Sequence, residues 1–168
     1  MLKEILEKIA NYREPLRPPG ALDEELFLKH CIRCRRCVEV CPYKSIKVIK
    51  KGLGKNSGTP VIIPRDIPCY LCMICPPECP TDALQPILKK EQVQMGIAKI
   101  DQETCLPYMG IICRACYERC PIYTEAIILK DEIYPVVVEE KCVGCGICEN
   151  VCPNEEPSIV VIKRNASK

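Results

Sequence analysis

The chain has 168 residues, of which 16 are cysteine, one is Phe and none is Trp. A chain this short holds one or two small domains, and with so few large side chains its core needs staples of another kind. The formal charge of +2 gives no argument for nucleic-acid binding, and no apolar run reaches the ~18 residues that would suggest a membrane span. The sequence also has no P-loop, no GxGxxG, no Ser-His-Asp set and a single histidine, His30. It therefore offers no candidate catalytic residues, and a non-enzymatic role is expected.

Residues 1–30 contain no cysteine. Leu2, Ile5, Leu6 and Ile9 recur at helical spacing, which predicts a short amphipathic helix over 2–12. Pro15, Pro18, Pro19 and Gly20 end it. This arm either grips a partner subunit or folds over its own domain. The opening MLKEILEKIANYREPL has no signal-peptide core and no twin-arginine pair, which predicts a cytoplasmic protein and argues against disulfides. Asp23 is placed to start a second short helix running toward His30.

Four cysteine motifs follow. The first is CIRCRRCVEVCP, with Cys31, Cys34, Cys37 and Cys41 before Pro42. Its arginines Arg33, Arg35 and Arg36 either dock an acidic redox partner, raise the cluster potential, or form a solvated face that balances cluster charge. Ser45–Lys50 and Pro60–Ile63 then read as short strands about a GLGKNSGT loop. The second motif is CYLCMICPPECP, with Cys69, Cys72, Cys75 and Cys79 before Pro80. Asp82–Leu88 reads as a turn and short strand, Lys89–Met95 as a polar helix or loop, and Ile97–Asp101 as a strand. In the third motif Cys105 is followed by LPYMGII and then Cys113, Cys116, Cys120 and Pro121; the longer gap reads as an insertion that still delivers Cys105. Ala126–Leu129 and Pro135–Glu140 predict a hairpin. The fourth motif is CVGCGICENVCP, with Cys142, Cys145, Cys148 and Cys152 before Pro153, and Ile159–Lys163 predicts a last strand.

The spacing C-x2-C-x2-C-x3-C-P is the ligand run of bacterial-type [4Fe–4S] ferredoxins. Three thiolates converge on one cubane, while the fourth reaches the neighbouring cluster. The proline turns the chain away, since its φ is fixed and it has no N–H to donate. Gly144 and Gly146 are expected to let the backbone approach the inorganic sulfides. Zinc sites use separated cysteine pairs, which this dense run does not match. Four oxidised cubanes at about −2 each would bring the loaded chain to about −6. His30 beside Cys31 reads as a bystander, and Tyr70, Tyr108 and Tyr117 as packing over the clusters.

Motif, helical turn, strand, turn, strand and motif thus repeat along the chain. The fold class expected is α+β, two bacterial-type 2[4Fe–4S] ferredoxin modules of short hairpins and helices around four [4Fe–4S] clusters. Tandem pairing joins motif one with two and three with four. Nested pairing joins one with four around an inner two–three module. The possible hairpin within Ser45–Ile63 favours tandem. The lack of a strand-like run just before motif one favours nesting.

Arg17–Cys34, Gly58–Cys69, Met95–Pro121 and VVVEEKCVGCGICENVCP resemble the NapG/MauM type of four-cluster ferredoxin over about residues 17–163, including the long third-motif gap. The resemblance implies electron transfer between larger redox partners, with no substrate chemistry of its own. It also implies nesting, as in related four-cluster subunits of molybdopterin enzymes. The domains expected are then an arm over 1–30, an outer module of 31–68 with 121–168, and an inner module of 69–120. The ligand sets implied are Cys31, Cys34, Cys37 with Cys152; Cys142, Cys145, Cys148 with Cys41; Cys69, Cys72, Cys75 with Cys120; and Cys105, Cys113, Cys116 with Cys79. Without a twin-arginine leader, the chain looks most like the polyferredoxin subunit of a tungsten-pterin aldehyde oxidoreductase. Such a subunit would relay electrons from a larger tungsten- or molybdenum-pterin catalytic subunit to a soluble ferredoxin or similar acceptor. The alternatives are a free-standing shuttle and an accessory or maturation ferredoxin for a molybdenum enzyme.

Overall fold

The computed structural model describes residues 14–50 and 54–164; the helix expected over 2–12 lies outside them. The described chain opens with a proline-rich extended segment. Pro18 and Pro19 have no N–H to give, so the segment builds no ladder and pairs only through the bridges Leu16–Ile62 and Ala21–Leu84. Its side chains are nonetheless buried on this same chain. Leu16 is 5% exposed and Arg17 3%. The Arg17 guanidinium stacks 4.6 Å above Phe27 and donates to Thr59 Oγ1 and the Pro60 carbonyl at 2.8 and 2.7 Å. Helix α1 (Glu24–His30) follows Asp23 as expected, without a side-chain cap.

In the first half come α2 (Arg36–Val40), β1 (Ile46–Val48) and β2 (Pro60–Ile62). The two strands form an antiparallel hairpin with Ile46 opposite Ile62. Asp82–Leu88 forms no strand of its own; Leu84 makes only the bridge to Ala21. In the second half come β3 (Gly96–Ile100), α3 (Ala115–Glu118), β4 (Ile127–Lys130), β5 (Tyr134–Val137), α4 (Ile147–Asn150) and β6 (Ile159–Lys163). The predicted hairpin is β4–β5, with Ile127 opposite Val137. β3 pairs with β6, Gly96 opposite Lys163 through Ile100 opposite Ile159.

This topology is α+β and tandem. In the second unit a strand before motif three pairs with the strand after motif four, while a hairpin joins the two motifs. The first unit repeats the plan. Its hairpin is β1–β2, and the place of β3–β6 is taken by Ala21 beside Leu84, where Leu22 N–H donates to Ala83 O at 3.1 Å and Gln85 N–H to Gly20 O at 2.7 Å. The missing strand before motif one was the argument for nesting. It is present as a single bridge, disguised by prolines. The outer and inner modules expected over 31–68 with 121–168 and over 69–120 are therefore not the units the chain folds into.

The units meet where Pro64–Cys69 lies on motif four. They are tied again at their far edge, where Lys163 Nζ on β6 donates to Glu24 Oε2 on α1 at 2.8 Å.

Candidate iron–sulfur centres

Sixteen thiols line four cavities, four to each. Cavity A takes Cys31, Cys34, Cys37 and Cys79. Cavity B takes Cys69, Cys72, Cys75 and Cys41. Cavity C takes Cys142, Cys145, Cys148 and Cys120. Cavity D takes Cys105, Cys113, Cys116 and Cys152. Every expected ligand is thus brought to a cavity, but the fourth member of each set differs from the nested assignment. Cys79 joins motif one and Cys41 motif two; Cys152 joins motif three and Cys120 motif four. The reason is local. Each Cys-Pro turn throws its cysteine across to the motif at the other end of the same hairpin.

The four cavities are alike in size and in carrying four thiols each, so one kind of occupant suits all four. Their walls are apolar. Phe27, Val38 and Leu84 line A, and Ala98, Ile127 and Val161 line C. Among the described residues no three Cys, His, Asp or Glu side chains are placed to hold a single metal ion. Thiols spread around a common space suit a core of several atoms.

The electrostatics call for a cation-rich core. Burial, and then the neighbouring Cys31, Cys34 and Cys79, push the Cys37 thiol up to about 12. Burial raises Cys116 and Cys145 to about 12 as well, and Cys148 well above its ordinary value. Thiols buried in this way do not ionise unless positive charge arrives beside them. Cys41 and Cys79 run the other way. Burial raises both, but backbone N–H groups outweigh it, those of Ser45, Ile46 and Tyr43 at Cys41 and of Thr81, Leu84 and Ala83 at Cys79. Two sulfurs have further polar partners: Ala98 N–H donates to Cys142 Sγ at 3.4 Å, and the Thr81 hydroxyl lies 3.8 Å from Cys79 Sγ, to which it donates once that sulfur is a thiolate.

The turn between ligands needs left-handed backbone at two positions. Arg33 and Arg35, Leu71 and Met73, and Gly144 and Gly146 all have φ between 56° and 85°. Glycine stands in motif four for packing reasons. A Cβ on Gly144 would lie 2.2 Å from Gly96 N, and one on Gly146 2.5 Å from the Pro64 Cβ. At both positions the backbone closely approaches protein, β3 at Gly144 and the other unit at Gly146.

Arg33 is committed to holding a loop, with Nε to Ser57 O at 2.9 Å and Nη2 to Lys55 O at 3.2 Å. Arg35 and Arg36 stay exposed. His30 Nδ1–H donates to the carbonyl of Thr81, a residue of the wall of cavity A, at 3.2 Å, and does not line the cavity itself. The tyrosines pack ring on ring, Tyr43 with Tyr70 at 4.6 Å, Tyr108 with Tyr134 at 5.1 Å and Tyr117 with Tyr123 at 5.2 Å. The third-motif insert loops out and still brings Cys105 to cavity D, leaving Met109, Ile111 and Ile112 exposed.

Two models of a 4Fe-4S dicluster domain match the chain, over residues 30–83 and 98–159. The chain is 40% identical over 167 residues to ferredoxin-type protein NapG of Escherichia coli (strain K12), covering 91% of this chain and 72% of that protein. The chain belongs to the NapG/MauM-type ferredoxin family. Among MauM proteins, described as methylamine utilization ferredoxin-type proteins, that of Methylobacillus flagellatus is 43% identical over 161 residues, covering 89% of this chain and 68% of the relative. That of Methylorubrum extorquens is 40% identical over 160 residues, covering 89% and 73%. As a NapG/MauM-type ferredoxin with two dicluster domains and 16 cysteines, the protein is a ferredoxin-type electron-transfer protein carrying four [4Fe–4S] clusters. Among the described residues no helix is long and apolar enough to cross a membrane.

Proposed function

We propose that this ferredoxin is a relay whose clusters are ligated as the cavities group the thiols: Cys31, Cys34, Cys37 and Cys79; Cys41, Cys69, Cys72 and Cys75; Cys120, Cys142, Cys145 and Cys148; Cys105, Cys113, Cys116 and Cys152. The observation that carries a relay is the order of the cavities. Cys37 of A neighbours Cys75 of B, Cys69 of B neighbours Cys145 of C, and Cys116 of D neighbours Cys148 of C. The clusters supply reversible one-electron chemistry. The protein's own residues hold the thiolates, exclude water with apolar walls and direct N–H groups at sulfur.

A and D are the ends of this row. At one end we place a catalytic oxidoreductase subunit of the tungsten- or molybdenum-pterin class, oxidising an aldehyde to an acid, as the sequence resemblance implies. At the other we place a soluble ferredoxin-type acceptor. The thiolate ligands fit a reducing compartment, so we keep the cytoplasmic placement. Elemental analysis of protein purified anoxically from its native cells tests both parts. The reading expects about 16 irons per chain with stoichiometric tungsten or molybdenum in a co-purifying subunit. Iron alone would favour the free-standing shuttle, which the burial of the arm's Leu16 and Arg17 on their own chain also supports. Zinc in place of iron would overturn the relay.

A further inference from the structure

The two units are joined at one place by backbone from ligand to ligand. Cys69 N–H donates to the Cys145 carbonyl at 2.9 Å, and both cysteines are buried, 8% and 7% exposed. Cys69 belongs to cavity B and Cys145 to cavity C. Four residues before Cys69, Arg65 reaches across the same junction. Its Nη1 donates to the carbonyls of Glu149, Asn150 and Cys152 at 3.1, 3.2 and 2.9 Å. Its Nη2 donates to Asn154 O at 2.7 Å and Glu155 O at 3.3 Å. These are carbonyls at and beyond the C-terminus of α4, where a cation is favoured by unpaired acceptors and the helix dipole together. Asn150 answers in the opposite direction, its Nδ2 donating to Pro64, Arg65 and Asp66 carbonyls at 3.2, 3.1 and 3.3 Å.

We propose that electrons cross between the two dicluster units at the Cys69–Cys145 contact, and that Arg65 and Asn150 are positioning residues that set the width of that gap. The proposal rests on the ligand grouping given under Proposed function. The segment between latch and ligand is stiff enough to transmit the setting. Pro64 and Pro68 fix φ at either side, and Asp66 and Ile67 N–H groups both turn back to Ile63 O, at 3.0 and 3.1 Å. Gly146 lets motif four seat directly on Pro64. One electron passes from the reduced unit to the oxidised one; no bond is made or broken and no proton moves. The reductant is the redox partner or, in the test below, a photochemically generated low-potential one-electron donor.

The test uses the full-length, cluster-loaded chain with Arg65→Met, Arg65→Lys and Asn150→Ala. Iron content is measured first, then magnetic coupling between clusters by EPR in the reduced state, then the rate at which a photoinjected electron equilibrates between the units. Arg65→Met is expected to keep its iron and the coupling within each unit. It should lose cross-unit coupling and slow equilibration several-fold, since the probability of electron tunnelling falls off exponentially as the gap between the units widens. Asn150→Ala should follow it more weakly, and Arg65→Lys should restore part of the coupling. Unchanged coupling and rate with full iron would overturn the proposal. Loss of iron in both Arg65→Met and Asn150→Ala would also overturn it, because the pair would then be holding ligands rather than setting a gap. Failure of the ligand grouping itself would appear separately, in the unsubstituted chain, as iron well below about 16 per chain.

Discussion

At the scale of single residues, two side chains set local energies that can be measured. The Thr81 hydroxyl is a donor to Cys79 Sγ, and donors to a ligand sulfur favour the more negative, reduced state. Thr81→Val should lower the potential of the cluster in cavity A by on the order of 40 mV, the equivalent of a hydrogen bond worth ~1 kcal/mol; a redox titration followed by EPR reads it. Glu24 is the second case. Burial raises its carboxyl, but hydrogen bonds from Arg17 and Lys163 outweigh this and hold it below its ordinary value. Its contribution is therefore complete above about pH 4.5 and is lost as pH falls through the lowered value. Glu24→Gln should cost about 1 kcal/mol of stability at neutral pH, a modest figure because the side chain keeps contact with solvent. The gap in thermal midpoint should close in acid. The cysteines were legible because their chemistry imposes a fixed spacing. Arg65 and Asn150 were not, since a lone arginine and a lone asparagine carry no motif and owe their role to neighbours more than eighty positions away in the chain. Gly144 was legible as a position that needs glycine, but the Gly96 backbone against it was not. Gly144→Ala should cost roughly 2–4 kcal/mol, from left-handed strain and overpacking together, seen as lost iron or a lowered thermal midpoint.

At the scale of elements, the third-motif insert is a built part of cavity D. Pro107 is buried within it. Tyr108 packs at a tilt against Tyr134, and its hydroxyl donates to Pro135 O at 3.1 Å, so the insert is anchored to β5. Tyr108→Ala should release Cys105 and cost about a quarter of the iron, one cubane in four. Tyr108→Phe should keep it all, since the ring contact remains; iron and sulfide analysis separates the two. The β4–β5 hairpin could be read from its alternation and short turn. The β3–β6 ladder could not, because its strands flank two motifs and nothing in either strand names its partner. Prolines hid the first unit's counterpart more thoroughly, since they remove the N–H groups by which a strand is recognised. The helix expected to start after Asp23 formed, but its stability comes from Phe27 beneath Arg17 rather than from the cap the sequence suggested.

At the scale of the molecule, the second unit is complete in itself. It has both of its two-stranded sheets and all eight of its thiols. A fragment of residues 94–164 should therefore assemble about eight irons, as two cubanes require, and anoxic reconstitution with iron counting checks this. An iron content well below that would mean the second unit needs the first to fold. The row of cavities also decides how such a protein fails. Each interior position has one neighbour on either side and no branch, so the row is a circuit in series. Losing any one cluster would leave the others intact yet open the circuit, and the whole chain would be only as durable under oxygen as its most accessible member. Cys34 and Cys72 are the exposed ligands, and both lie in the first unit. Damage there would isolate the second unit, still charged and with nowhere to discharge but its own end.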